Sequence, residues 1–212
     1  PMIGLRGVRM GIVYPCFLRM QLKAIIEGAC LAASSKPKPY ILVPFVCHEN
    51  EMEKVRLMLN EVKAEVFKQK NTNLEILLGA SIEVPRSALI TSALSQHVDF
   101  LYYSLNDLTQ FSLLYSTDDA ESSFVPEYRE WNIISPSPFM SIDDAISNMI
   151  NTSIAEARKQ KPSLLIGVEC ESAGFDTIQT IHNVGADYVA CNPYRIFINR
   201  IAAAQATLQE KA

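Results

Sequence analysis

The feature that most constrains the fold of this chain is an alternation of short apolar runs with stretches of helical periodicity. The apolar runs are nearly continuous, which is typical of strands buried on both faces of a parallel sheet. In residues 49–70 and 141–159, apolar side chains recur every three or four positions, which predicts amphipathic helices, the second capped by Ser141. Strands that alternate with helices predict βα units around a parallel sheet. The predicted strands are residues 40–47, 75–84, 98–104, 164–169 and 186–192.

Two architectures satisfy this pattern, an open doubly wound sheet and a closed βα barrel. The chain has only eight glycines and nothing glycine-rich after its early strands, which disfavours a dinucleotide or P-loop site. Periodicity alone leaves both architectures open. Since a barrel needs eight strands, a barrel would have its first strands before residue 1. Residues 117–137 lack periodicity and predict a long surface loop that carries Trp131.

Composition excludes several classes of protein. The 212 residues are 49% hydrophobic and 20% charged, as expected of a globular domain or a large fragment of a longer chain. A net charge of −4 and the lack of an apolar run of ~20 residues argue against nucleic-acid and membrane partners. Five cysteines without CxxC spacing predict reduced thiols in the cytoplasm and no four-cysteine zinc site.

Carboxylates stand where two neighbouring predicted strands end. Glu83 closes one strand, and Asn106 and Asp107 directly follow the next. Two carboxylates at adjacent strand ends can share one small hard cation such as Mg²⁺, with water and substrate oxygens completing the shell. The alternative is that Glu83 and Asp107 only cap the helices that follow them.

Other polar residues have weaker signals. Arg6 and Arg9 lie in a glycine-flanked stretch near the start, which suits either a phosphate grip or a solvated surface turn. Cys170 closes a strand and could be a thiol acid, but a lone cysteine in apolar surroundings is more often structural. His182 falls on a predicted helix, where it is expected to pack or to face solvent.

Five short blocks of this sequence resemble the pyruvate phosphate dikinase family of phosphoenolpyruvate (PEP)-utilising enzymes. They run in family order from the first residue almost to the last, so the resemblance covers the whole chain. The blocks are PMIGLRGVRMGIVYP (1–15), IEVPRSAL (82–89), NDLTQ (106–110), DD followed by FVPEY (118–119 and 124–128), and CNPYR followed by RIAAAQA (191–195 and 200–206).

This resemblance implies a (β/α)8 barrel of the TIM type, of which residues 1–212 are the later βα units, incomplete at the N-terminal strands. It implies a phosphotransferase that interconverts pyruvate and PEP through a Mg²⁺-bound enolate. Phosphohistidine and nucleotide-binding domains of the same full-length chain would supply the phosphoryl group, in a cytoplasmic homodimer. Glu83 and Asp107 look like the Mg²⁺ ligands, and Arg6 and Asn106 like substrate contacts.

The sequence departs from the family pattern around this site. When Glu171 and Gly174 are aligned, Glu169 takes the place of the family's catalytic cysteine, and Cys170 is turned to the opposite face. Ser104 and Leu105 stand where the family has Gly-Thr, which changes the backbone approach to phosphate. The resemblance still implies that Ser104, Leu105 and Asp107 bind the substrate. Further changes are Thr117 for an arginine and Ser172 for a histidine.

Three functional interpretations are therefore compatible with the sequence. The first is an active phosphotransferase domain altered in detail. The second is a catalytically impaired homologue that keeps the barrel for assembly or regulation. The third is a lyase or aldolase on a related barrel, which would share Glu83 and Asp107 but not the dikinase-like C-terminal block.

Overall fold

Five parallel strands form one sheet in the computed structural model, which describes residues 3–135, 137–170 and 175–210. The strands are neighbours in chain order, without a reversal. The predicted strands and their parallel arrangement are therefore confirmed. Their bounds are β1 Tyr40–Val43, β2 Leu77–Ile82, β3 Phe100–Ser104, β4 Leu165–Glu169 and β5 Tyr188–Ala190.

Helices connect successive strands and extend the chain at both ends. The predicted helix over residues 49–70 has those bounds in the structure. The helices are α1 Val8–Val13, α2 Pro15–Leu31, α3 Glu49–Lys70, α4 Pro85–Leu89, α5 Thr91–Leu94, α6 Leu105–Leu113, α7 Thr117–Ala120, α8 Val125–Glu130, α9 Asp144–Gln160, α10 Phe175–Asn183 and α11 Ile196–Glu210. Short 3-10 turns span Ala33–Ser35 and Pro193–Arg195.

The main core lies between the helices and one face of the sheet. On the opposite face Tyr40 is 48% exposed and Leu42 is 38% exposed. A doubly wound sheet carries helices on both faces, whereas a barrel carries them only outside. The arrangement is therefore that of consecutive barrel strands. The core joins buried residues of α3 and α9 to the strands, among them Met52, Val55, Leu59, Val62, Ile146, Ile150, Ile154, Ile41, Val43, Leu78, Ala80, Ile82, Leu101, Tyr103, Ile166 and Val168.

Glycines on the inner face of the sheet admit aromatic rings from the neighbouring strands. A Cβ atom at Gly79 would lie 2.3 Å from the ring of Phe100, and one at Gly167 would lie 2.1 Å from the ring of Tyr188. Neither position can therefore hold a larger residue without displacing a ring. Aromatic rings therefore cover both of these glycines on the inner face.

The amino end of the sheet is held by two aspartates that precede strands. Asp99 accepts hydrogen bonds from the Leu78 N–H and from Arg56 of α3, both at 2.9 Å. Asp187 does the same with the Ile166 N–H at 2.7 Å and Arg158 of α9 at 3.0 Å. Each aspartate thus ties one strand to its neighbour and to a helix.

The first strand is shorter than predicted. It ends at Val43 instead of continuing to Cys47. Pro44 lacks the N–H that a further ladder bond would need, and Phe45 turns the chain with a φ of 59°. The other four strands are also shorter in the structure than predicted. The predicted ends at Ser104 and Glu169 are confirmed.

Two further predictions in the middle of the chain are wrong in detail. The helix predicted over residues 141–159 begins at Asp144, because Asp143 and not Ser141 caps it, accepting from the Ala145 and Ile146 N–H groups. Residues 117–137 are not a plain loop, since α7 and α8 lie within them. Aromatic packing stabilises this segment, while Trp131 is 66% exposed as predicted. The packed rings are Tyr115, Phe124 and Tyr128.

Candidate functional site

Acidic and hydroxyl side chains come together at the carboxyl end of the sheet. Ser104 and Glu169 close β3 and β4 and are paired in register. Glu83 directly follows β2, one residue beyond the pairing of Ile82 with Tyr103, and so lies at the same level. Strand alternation places Glu83, Ser104 and Glu169 on the inner face, away from the helices.

Glu83 is the most enclosed of these carboxylates. It is 7% exposed, and its Oε2 accepts a hydrogen bond from the Phe45 N–H at 2.9 Å. Burial raises the pKa of the Glu83 carboxyl, the charges of Asp107 and Glu169 raise it further, and hydrogen bonds from Ser81 and Phe45 oppose this rise. Glu83 therefore lies in a site where a positive charge would be favourable.

Asp107 lies in the first turn of α6, beside Glu83. Its Oδ2 accepts a hydrogen bond from the Ser104 hydroxyl at 2.8 Å, which fixes the carboxylate against the end of β3. Glu83 is bound to the Phe45 N–H of the loop after β1, not to the helix that follows it. Capping of the following helix therefore does not describe the contacts of Glu83.

Arginines surround the loop that follows β1. The Arg6 guanidinium carbon lies 5.1 Å from the centroid of the Phe45 ring. Arg9 donates to the Cys47 sulfur at 3.0 Å, and Arg86 donates to the Cys47 carbonyl. The same loop that holds Glu83 through its backbone is thus bordered by positive charge. These arginines could bind an anionic ligand that also coordinates a cation at the neighbouring carboxylates.

A cavity of about 580 Å³ opens beside α6 and the end of β4. The predicted residues Asn106 and Glu169 line it, and so do Gln110 and Arg195, which were not singled out from the sequence. Arg195 follows the end of β5, in the CNPYR block. Its position after a strand could have marked Arg195 as a candidate site residue. The cavity itself could not be predicted, because the sequence does not show where α7 and the 138–142 segment, which also line it, pack.

Glu169 and Cys170 have different surroundings. Cys170 is 1% exposed and belongs to the apolar core, although it also contributes to the cavity wall. Burial raises the pKa of its thiol to about 11, so the thiolate is disfavoured at neutral pH. Glu169 is half-buried at the inner end of β4. The alignment anchors Glu171 and Gly174, and Ser172 with them, lie outside the described residues.

The donor set at this edge fits a hard cation with an incomplete protein shell. Among the described residues, no three His, Cys, Asp or Glu side chains form a metal-binding group. Glu83 and Asp107 could hold Mg²⁺ as a pair, because this ion keeps several waters and substrate oxygens as ligands.

In the described part of the chain no helix is both long and apolar enough to cross a membrane.

A family model described as the PEP-binding domain of PEP-utilising enzymes matches residues 1–208. Pyruvate, phosphate dikinase of Giardia intestinalis is 36% identical over 214 residues, covering all of this chain and 24% of the relative. The enzyme of Rhizobium meliloti is 37% identical over 98% of this chain and 24% of its own length, and that of Clostridium symbiosum is 33% identical over 100% and 25%. The chain thus spans about a quarter of these relatives.

Solved structures of low sequence identity share the fold. A citrate lyase from Burkholderia xenovorans superposes with a TM-score of 0.53 at 13% identity, covering 77% of this chain and 48% of its own. Pyruvate kinase of Cryptosporidium parvum superposes with a TM-score of 0.53 at 12% identity, covering 80% and 32%. Both are TIM-barrel-like, which confirms the predicted barrel class, here represented by five consecutive strands.

Proposed function

This chain belongs to the PEP-utilising enzymes through their PEP-binding domain, and from that premise we propose that it binds pyruvate and PEP at the carboxyl end of its sheet. The proposed reaction interconverts them through an enolate, with phosphoryl transfer from a phosphohistidine on another domain of a cytoplasmic homodimer. The observation that carries the proposal is that Phe45, whose ring lies against Arg6, donates to Glu83, while Asp107 acts on Glu83 from the start of α6, where its neighbour Asn106 lines the cavity.

Mg²⁺ is the proposed cofactor, with Glu83 and Asp107 as its protein ligands. When bound, it would stabilise the negative charge that develops on the enolate oxygen. The Ser104 hydroxyl holds Asp107 at 2.8 Å, and the Phe45 N–H holds Glu83 at 2.9 Å, so both carboxylates are oriented before any ion arrives. Because the carboxylates are already oriented, no free energy has to be spent on reorienting them during the reaction.

We propose the remaining contacts of the substrate at the same edge of the sheet. Arg6 is proposed to grip the phosphoryl or carboxylate oxygens with its paired donors. Asn106, at the start of α6, and the Ser104–Leu105 backbone are proposed to face the same oxygens. Asp107 would belong to both sets, as metal ligand and as part of the substrate-binding turn.

Glu169 is proposed to take or return the proton at C3 of pyruvate. When a proton leaves the methyl carbon, the C–H electron pair moves into the enolate and its charge settles on the carbonyl oxygen. Glu169 is the side chain at the end of β4 that lies on the inner face, whereas Cys170 packs into the core. A third carboxylate near Glu83 and Asp107 opposes enolate formation, so this step is expected to be slow.

That electrostatic opposition also supports a second candidate function. The charge of Glu169 acts on Glu83 in the folded protein, and it would repel an enolate at the same place. A homologue that binds Mg²⁺ and PEP but exchanges protons slowly would keep the barrel for assembly or regulation. Slow proton exchange is expected of both candidates, whereas net conversion of pyruvate to PEP by the full-length protein is expected only of the first.

The test is exchange of the pyruvate methyl protons with deuterium oxide, followed by proton NMR in the presence of Mg²⁺. We expect slow exchange in the wild type and faster exchange in Glu169→Cys. In the Glu169→Cys background, adding Asp107→Ala should abolish the gain, whereas Asp99→Ala at the other end of the sheet should not.

Three outcomes would overturn parts of this proposal. Fast exchange in the wild type that Glu169→Cys leaves unchanged would place the proton-transferring group elsewhere. Loss of exchange in Cys170→Ala would show that Cys170, and not Glu169, reaches the substrate. Exchange that survives Asp107→Ala would remove Asp107 from the proposed Mg²⁺ site.

A further inference from the structure

Phe45 adopts a backbone conformation that few residues of its kind adopt. Its φ is 59°, in the left-handed region that glycine enters without strain and a bulky side chain does not. The residue follows Pro44 at the end of β1, where the chain turns toward α3. Residues held in such conformations persist where surrounding structure fixes them, often next to functional sites.

The turn at Phe45 presents two groups in two directions. Its backbone N–H donates to the Glu83 carboxylate at 2.9 Å. Its ring lies under the Arg6 guanidinium, with 5.1 Å between the guanidinium carbon and the ring centroid. One residue therefore contacts both the proposed metal ligand and the proposed phosphate-binding arginine.

The segment that carries Arg6 is packed closely against this turn. The Val8 N–H donates to the Pro44 carbonyl at 3.0 Å. A Cβ atom at Gly7 would lie 2.8 Å from both the Phe45 ring and the Pro44 oxygen, and Gly7 itself has a φ of 57°. The two loops thus fit together only because Gly7 has no side chain.

We propose that Phe45 is a positioning residue that fixes Arg6 relative to Glu83, through its ring on one side and its backbone N–H on the other. This inference rests on the proposed function, because it takes Arg6 and Glu83 as parts of one substrate site. A glycine would enter the turn without strain, yet the chain has an aromatic residue there. The ring accounts for that choice, because an aromatic face attracts and orients a guanidinium group.

The rest of the loop supports the same role. The Cys47 and His48 N–H groups donate to the Glu51 carboxylate at 2.7 Å and 2.9 Å, and Arg86 donates to the Cys47 carbonyl. These bonds fix the chain on the C-terminal side of Phe45. The Phe45 turn is therefore held from both sides and can act as a rigid spacer between the two site residues.

Three substitutions separate the ring from the turn. Phe45→Gly removes the ring and keeps the left-handed turn with its N–H. Phe45→Val removes the ring and disfavours the turn, because β-branched residues avoid positive φ. Phe45→Tyr keeps both features. Asn71→Val is the matched control, since Asn71 also has a positive φ, of 46°, but ends α3 away from the site.

The measurements are Mn²⁺ affinity and PEP affinity of the protein by calorimetry. Phe45→Gly should weaken PEP binding by about threefold to tenfold, the range expected for one cation–π contact, and leave Mn²⁺ affinity unchanged. Phe45→Val should weaken both. Phe45→Tyr should restore wild-type values, and Asn71→Val should lower thermal stability without changing either affinity.

The results distinguish a failure of the positioning role of Phe45 from a failure of the proposed function. If Arg6→Ala and Asp107→Ala weaken PEP and Mn²⁺ binding but the Phe45 variants do not, the positioning role is wrong while the proposed function stands. If Arg6→Ala and Asp107→Ala change neither affinity, the proposed function itself fails. If Phe45→Gly and Phe45→Val lowered both affinities equally, the ring and the backbone turn of Phe45 would not have separate roles.

Discussion

The two ends of the sheet use the same residue types in opposite ways. At the amino end, Asp99 and Asp187 are each matched by an arginine and by a backbone N–H of the neighbouring strand. At the carboxyl end, Glu83 is buried and its pKa is raised by burial and by the nearby charges of Asp107 and Glu169. At the first end each aspartate accepts directly from an arginine, whereas at the second the hydrogen bonds described for Glu83 and Asp107 come from the Phe45 N–H and the Ser81 and Ser104 side chains.

This difference separates stability from function. In βα barrels the amino ends of the strands generally serve the fold, and the carboxyl ends carry the chemistry. Carboxylates that repel one another lower stability unless a cation binds among them. We therefore interpret the amino end as the support that allows the carboxyl end to retain an unfavourable charge arrangement.

The largest effect on folding is expected from Asp99→Ala. This change leaves the buried Leu78 N–H without its acceptor and removes the ion pair with Arg56, which keeps its bond to the His97 carbonyl, and it should lower the free energy of unfolding by about 2 kcal/mol. Urea denaturation measures the loss. If Asp99→Ala were as stable as the wild type, the amino end would not have the role assigned to it.

A smaller loss, about 1 kcal/mol, is expected for Asp187→Ala. Asp187 makes the same kind of contacts, but its side chain is 39% exposed, against 27% for Asp99. Water can therefore replace more of the hydrogen bonds that Asp187→Ala removes. Denaturation of both variants under the same conditions ranks them, and a larger loss for Asp187→Ala would contradict this use of exposure.

The smallest effect has the opposite sign and lies at the carboxyl end. Glu83→Gln keeps an acceptor for the Phe45 N–H and removes a buried charge, so it should stabilise the metal-free protein by about 0.5–1 kcal/mol at pH 7. Matched urea titrations with a chelator present measure this gain. A destabilised Glu83→Gln would show that the carboxylate is favourable without a cation.

The pH dependence of this gain has a defined sign. The folded-state pKa of Glu83 lies above its ordinary value of 4.5, so the folded protein binds more protons than the unfolded chain above that pH. Stability of the wild type relative to Glu83→Gln should therefore fall as pH rises from 4.5 through the folded-state pKa. Denaturation at pH 4, 5.5 and 7 tests this trend, and a relative gain of the wild type with pH would contradict it.

The sequence predicted elements whose signals are local. Continuous apolar runs marked the five strands, and a three-and-four periodicity marked α3 with its observed bounds. The placement of Glu83 and Asp107 at one edge followed from parallel strand geometry alone. Glu169 at the inner end of β4 followed from counting along the strand, although its proposed chemistry came from the family resemblance.

Features that depend on distant contacts were missed. The left-handed turn at Phe45 is fixed by Gly7 and Glu83, which lie 38 residues away in either direction along the chain. The pairing of Asp99 with Arg56 joins residues 43 positions apart. Arg195 joins the cavity through packing of α7 and the 138–142 segment, for which periodicity gave no signal.

The central claim is that the carboxyl end of the sheet, and not the amino end, binds a divalent cation through Glu83 and Asp107. Calorimetric titration with Mn²⁺ of the wild type, Asp107→Ala and Asp99→Ala tests it most directly. We expect one site in the wild type, at least about tenfold weaker binding in Asp107→Ala, and unchanged affinity in folded Asp99→Ala. Equal Mn²⁺ affinity in the wild type and Asp107→Ala would contradict the account.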